Sequence, residues 1–310
     1  MAGPFFHLAL WEGIFILIRT PAIIQSCRSI QWMSLFRLLR GDIMILKSYI
    51  KSLFSSRTIW FWSVGFIIFW LFLGVFVFPQ DINKSSFDII NYASLWYSLT
   101  SILSVAAIGV SISFSIYYSS SSLAYLFHNS KLSSYRYYLE SSVATGLFFT
   151  GTGTVLMMFM ALLFYIRFHV IVYPHIFWLA LILFFSSGLF FYSLSAALVV
   201  IFNNWLGLKN INFVAFIPLF LGYGFGYSAL YGSLPHWLLY SNFVSPYEYL
   251  YMMSFTGRVP FSNILNHAST HASILLCSVS VLIWMVIFIF AALLLIKSIK
   301  ASYVEEARQI

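Results

Sequence analysis

The sequence predicts an all-α polytopic membrane protein with six transmembrane helices. An amino-terminal amphipathic interfacial helix precedes them, and a re-entrant helical pair comes before the last span. Three observations carry this prediction. Five stretches, the longest between Asp88 and Lys131, run for 25 or more residues without Lys, Arg, Asp or Glu. Charged residues make up 8% of the 310-residue chain and hydrophobic residues 61%, against roughly 25% charged in soluble domains. The 20 Tyr and 10 Trp suit membrane–water boundaries, and the 34 Phe suit lipid contact. A charge carried to the middle of a bilayer costs about 2.5–3.5 kcal/mol on insertion scales. A chain that keeps its charges at the edges of long apolar runs is therefore written for lipid.

Residues 1–58 form a cytoplasmic or interfacial region. Phe5–Ile24 is apolar but carries Glu12, Arg19 and Pro21, which makes it a poor span. From Trp32 to Phe54, apolar Met33, Phe36, Leu39, Ile43, Leu46 and Ile50 recur at three- and four-residue steps, with Arg37, Arg40, Lys47 and Lys51 between them. This pattern predicts an amphipathic helix. It either lies on the inner membrane surface with its basic side toward lipid phosphates, or packs on a soluble partner. No basic start followed by a small-residue cleavage site marks a removable signal peptide.

The transmembrane domain spans 59–297. Crossing about 30 Å of hydrocarbon takes roughly 20 helical residues, and six segments qualify: Ile59–Pro79, Ala93–Tyr117, Ser142–Ile166, Ile176–Phe202, Ile211–Gly232 and Ala272–Lys297. Barrel strands are shorter and alternate polar with apolar residues, which these runs do not. Placing both termini in the cytoplasm leaves only Lys84, Arg167 and Arg258 of the 16 Lys and Arg outside, as the positive-inside rule requires. The inner loop 118–141 opens on the serine run Ser119–Ser122. Because serines cap helices better than they continue them, a short helix is expected from Leu123 to Asn129. The outer stretch 233–270 is apolar yet broken by Pro235, Pro246 and Pro260. It reads as two short re-entrant helices or as an interfacial loop anchored by Tyr and Trp. Residues 298–310 form a cytoplasmic tail.

The sequence is poor in reactive chemistry. Its two cysteines, Cys27 and Cys277, lie far apart and make neither a disulfide framework nor a metal motif. The net charge of +8 is spread along the flanks of spans rather than gathered on one face, which argues against nucleic acid. No P-loop occurs, and no Ser/His/Asp set can be assembled, so no catalytic residue is assigned. His267 and His271 are four apart but have no third ligand nearby, and they read as a polar helix edge, so no metal site is assigned. Gly151-Thr152-Gly153-Thr154 and the trio Gly222, Gly224 and Gly226 are read as helix-packing positions. Glu248 is the only acid between Glu140 and Glu305. It is either a functional intramembrane acid or an acid reaching water at the boundary. The predicted mid-span regions hold no ionisable residue, so the energy source is expected outside this chain.

The order of parts over roughly residues 40–300 resembles the ABC type-2 permease family, the membrane subunits of ATP-binding-cassette exporters. Leu234-Pro235-His236-Trp237-Leu238 is similar to the family's Leu-Pro-x-Trp-Leu segment. Asn242-Phe243-Val244-Ser245-Pro246-Tyr247-Glu248-Tyr249 is similar to its Asn-Pro-Leu-Thr-Tyr segment, with Ser245-Pro246 in place of Asn-Pro. Leu123 to Gly146 is similar to the loop that docks on the ATPase, with Ser119–Ser122 where the family has acidic and Gly-Thr residues. The resemblance implies a multi-pass subunit of the cell membrane that is not itself an enzyme. It implies an ABC ATPase partner binding the ATP and Mg cofactors, and a second permease subunit in a homo- or heterodimer. It also implies an ATPase-docking set of Leu126, Phe127, His128, Lys131 and Arg136, and an outer-gate set of Pro235, Trp237, Pro246 and Glu248. The rival expectations are a non-transporting membrane scaffold, a secondary transporter and, last, a lipid-directed enzyme.

Overall fold

A computed structural model describes residues 46–79, 86–129, 132–205, 211–231, 235–260 and 272–300. The amphipathic pattern up to residue 45, Lys84, Lys131, Lys209, Leu234, the His267 and His271 pair, and the tail beyond residue 300 lie outside the described residues. The chain divides into two units, Met1–Ser48 and Tyr49–Ile310, and the architecture belongs to the second.

All regular structure among the described residues is helical. Helix α1 covers 46–55, and its Lys47 and Lys51 are exposed while Leu53 is buried. A tight corner follows, in which Trp60 Nε1 donates to the Phe54 carbonyl at 2.9 Å. Helix α2 runs 57–77 and contains two π-helical turns, Phe61–Gly65 and Leu73–Val77. Each turn offers a carbonyl to the neighbouring helix α3 (Ser86–Asn129). Ser104 Oγ donates to Ser63 O at 2.8 Å, and Tyr92 Oη to Gly74 O at 2.6 Å. Side-chain groups inserted beside the helical ladder are a recognised origin of such widened turns. A Cβ at Gly74 would run into the Trp96 ring.

Then come α4 (Ser134–Phe168), α5 (Phe177–Trp205), α6 (Asn212–Tyr231), two short helices α7 (His236–Ser241) and α8 (Ser245–Thr256), and α9 (Ile274–Ile296). All six apolar segments expected from the sequence are thus helical. Four helices, α3, α4, α5 and α9, are long and apolar enough to cross a membrane. The apolar part of α2, Phe61–Val77, is shorter, and α6 carries Pro218 inside an unbroken helix.

Helix α3 sits at the centre, packed by α2, α4, α5, α6 and α8. It departs from expectation at its far end. The serine run does not start a new helix, and α3 continues unbroken to Asn129. Ser119 Oγ donates to the Ser115 carbonyl at 2.6 Å, and Ser113 Oγ to the Gly109 carbonyl at 2.9 Å. This back-bonding satisfies the hydroxyls without unwinding the helix. The expected inner loop is accordingly a helical hairpin, with α4 resuming at Ser134.

The expected packing role holds for some glycines. A Cβ on Gly153 would meet the Phe184 ring at 2.5 Å, and one on Gly222 would meet Ala106 Cβ at 2.7 Å. Gly224 has nothing within 4 Å.

Candidate functional sites

The α3–α4 hairpin is the first candidate. At 1.5 Å per residue, the 44 residues of α3 measure about 66 Å, twice the hydrocarbon core of about 30 Å. The 35 residues of α4 measure about 52 Å. Both helices are therefore longer than a crossing of the hydrocarbon core requires, and the hairpin joins them. Leu126 and His128 are exposed there. Phe127 turns inward, with its ring edge-on to Tyr137 at 5.7 Å. Arg136 Nε donates to Glu140 Oε1 at 2.8 Å, one turn on in the same helix. The resemblance-derived set is thus divided: two members face outward, two are engaged within the hairpin, and Lys131 lies outside the described residues.

Two exposed aromatics escaped the sequence reading, Tyr125 at 67% and Tyr135 at 57%. With Leu126 and Leu139 they give the hairpin an exposed apolar end. For Tyr125 the signal was present in the spacing, since two residues on from buried Leu123 it lies on the opposite side of the helix.

A cleft of about 290 Å³ is the second candidate. Ser52 and Ser56 lie on its α1 side, Trp62 on α2, Ser111, Phe114 and Ser115 on α3, and Phe216 on α6. Tyr49 also lines it, and burial pushes that hydroxyl's pKa up. None of its lining residues is charged. Serine hydroxyls against aromatic walls suit an apolar or amphipathic molecule, with hydroxyls to orient a polar end. Nothing in the sequence marked it, because it draws on four separate elements.

The third candidate is the α7–α8 region. Asn242 organises the start of α8: its Oδ1 accepts from the amides of Val244 at 2.9 Å and Ser245 at 2.7 Å, and its Nδ2 donates to Leu238 O at 2.7 Å. At the other end, Gly257 adopts φ 67° and terminates the helix, where a Cβ would strike the His175 ring. The amides of His175 and Ile176 then bond the carbonyls of Phe255 at 3.0 Å and Ser254 at 2.8 Å. This ties the α4–α5 connection to α8. Helix α8 is buried on nearly every side. Tyr251 Oη and Ser187 Oγ of α5 share a 2.9 Å hydrogen bond, and the Tyr251 ring stands edge-on to Tyr97 of α3 at 5.8 Å.

The four residues of the outer-gate set do not come together as one cluster. Pro235 and Trp237 are exposed, Trp237 at 71%, whereas Pro246 and Glu248 are buried. Glu248 is 0% exposed, and neither carboxylate oxygen has a hydrogen-bond partner among the described residues. Burial holds its carboxyl well above the usual carboxylate range.

No family model matches this chain, and neither a curated protein nor a solved structure does.

Proposed function

We propose that this chain is the membrane-spanning permease subunit of an ABC-type exporter, driven by a separate ATPase that docks on the α3–α4 hairpin. The observation that carries this reading is the hairpin itself. Two apolar helices are each longer than a bilayer crossing requires, and Tyr125, Leu126, Tyr135 and Leu139 are exposed where the hairpin joins them. A partner docked on the hairpin would use that extra length.

Three further features support the reading. The order of six apolar helical segments, with two short helices before the last, is the order the resemblance implies. Trp178 and Trp205, at opposite ends of α5, are 74% and 75% exposed. They stand about 40 Å apart along the helix, close to the full bilayer thickness with headgroups, as boundary anchors would. The uncharged cleft beside α1, α2, α3 and α6 suits an amphipathic cargo. In this reading the six helical segments span the membrane with both termini inside, and α7 and α8 form the re-entrant pair on the outer side. Nucleotide-driven movement of the docked ATPase levers α3 and α4, and a second permease subunit, identical or related, completes the path. The shift between inward- and outward-open states follows from the ATPase binding the two states unequally.

The test is purification in mild detergent, comparing wild type with Leu126→Glu. Wild type should co-elute with a stoichiometric P-loop ATPase, and the variant should lose it while still entering the membrane. A wild-type protein that elutes with no nucleotide-binding partner contradicts the reading. One observation favours a second reading, a transporter driven by an ion gradient: Glu248 is a buried acid of the kind such proteins use. Transport in vesicles that follows a pH gradient and ignores ATP would select it.

A further inference from the structure

Glu248 stands in the first turn of α8, a helix packed on α3, α5, α6, α7 and α9. Its carboxyl is closed off from the surface and has no hydrogen-bond partner among the described residues. On one side it rests on the bare backbone of α6: a Cβ on Gly226 would come within 2.6 Å of Oε1 and 3.7 Å of Leu99 Cδ1 of α3. A seat too tight for a methyl group has no room there for a metal ion with its ligands or an organic cation.

Among the described residues, the surroundings offer no counter-charge either. Helices α5, α6 and α9 contain no Asp, Glu, Lys, Arg or His. In α3, Asp88 and His128 lie near opposite ends of the helix. Arg258 lies past the far end of α8, over the Phe87 ring at 5.2 Å. His236 belongs to α7, and its side chain lies outside the described residues. The neighbouring titratable groups are the Tyr249 hydroxyl, which burial pushes up, and, beside Tyr249, Tyr240 and Cys277. An ionised carboxylate in such a seat would be both desolvated and unpaired, the combination that buried charges avoid.

We propose that Glu248 is a proton-binding site: its carboxyl carries a proton while α8 is seated against α3 and α6, and gives it up to water when α8 moves off them. The O–H bond breaks on unseating, the pair stays on the carboxylate, and water takes the proton. Seating and protonation are then linked equilibria, so rising pH favours the unseated state. The proposal is independent of which energy source drives the protein, because it concerns the carboxyl and its seat alone.

Infrared spectroscopy on the purified full-length protein tests it. Wild type at neutral pH should show the C=O stretch of a protonated carboxyl, absent from Glu248→Gln and fading as the pH is raised. Absence of that band in folded wild type, or its persistence in Glu248→Gln, overturns the proposal. Should Glu248→Gln fail to accumulate, carbon-13 glutamate labelling of wild type decides instead. The band must shift, and an unshifted band is contradictory.

Thermal unfolding gives an independent reading. A carboxyl whose folded-state pKa is raised contributes stability that is complete below the unfolded value, about 4.3. That contribution is lost as pH climbs through the folded value. The midpoint of Glu248→Gln should therefore rise relative to wild type as the pH increases. A difference constant with pH would contradict the proposal.

Discussion

Helices α3 and α9 bury their side chains in reverse order of their greasiness. The most apolar 18 residues of α3 are 83% buried, whereas those of α9, the more apolar helix, are 22% buried. In water the greasier helix would be the inner one. Here the central helix is built from small and hydroxylated residues, Ser94, Ser98, Ser101, Ser104, Ala106 and Gly109. The peripheral helix turns Leu275, Leu282, Ile283, Val286, Phe290 and Leu294 outward. The difference teaches what holds the bundle. Lipid tails are as apolar as leucine, so burying leucine gains little, and close backbone approach with interhelical hydrogen bonds takes over. Two contacts of α3 show this. Ser195 Oγ of α5 donates to the Gly109 carbonyl at 3.0 Å, and Gly222 of α6 lies against Ala106.

The strongest way to break the contrast is to charge the peripheral helix. Ile283→Lys, near the middle of α9 and 53% exposed, should cost about 2.5–3.5 kcal/mol of insertion free energy. It should cut the membrane-inserted fraction in a glycosylation-mapping assay. Normal insertion would mean that this face does not meet hydrocarbon. Next in size is Ala106→Leu in α3, a position with 0% exposure. Overpacking there should lose about 1–3 kcal/mol, seen as a lower unfolding midpoint in detergent. Ser104→Ala removes the bond to the Ser63 carbonyl and should cost about 0.6 kcal/mol, the usual size of such bonds between membrane helices. The smallest effect belongs to Leu282→Phe in α9, 55% exposed, which should stay within about 0.5 kcal/mol. A large loss there would mean that α9 packs on protein instead of lipid.

Much of this contrast could be read in advance, and part of it could not. The spacing of charge located every long apolar helix, because insertion energy acts on each charge locally. The Pro-interrupted stretch before the last helix did become short helices, α7 and α8. The extension of α3 through Ser119–Ser122 was missed because serine's capping preference reflects its hydroxyl bonding nearby backbone in non-helical conformations, whereas here Ser119 bonds back to the Ser115 carbonyl within the helix. The π turns of α2 had no local signature beyond Gly65 and Gly74; their carbonyls are claimed by Ser104 and Tyr92, 41 and 18 residues away. Among the candidate sites, Glu248 stood out as a lone acid, but its seat on Gly226 is a contact between two helices. In the hairpin, the inward turn of Phe127 and the pairing of Arg136 with Glu140 depend on how α3 meets α4. No single stretch of residues encodes that.

The central claim is that α3 and α4 reach beyond the lipid to grip an ATPase while α9 remains in lipid. A photo-reactive amino acid placed at Tyr125 and, separately, at Ile283 tests it directly in intact membranes. The account predicts that position 125 crosslinks to a P-loop ATPase and position 283 to lipid. A position 125 that crosslinks only to lipid, or a position 283 that captures the ATPase as readily, would contradict it.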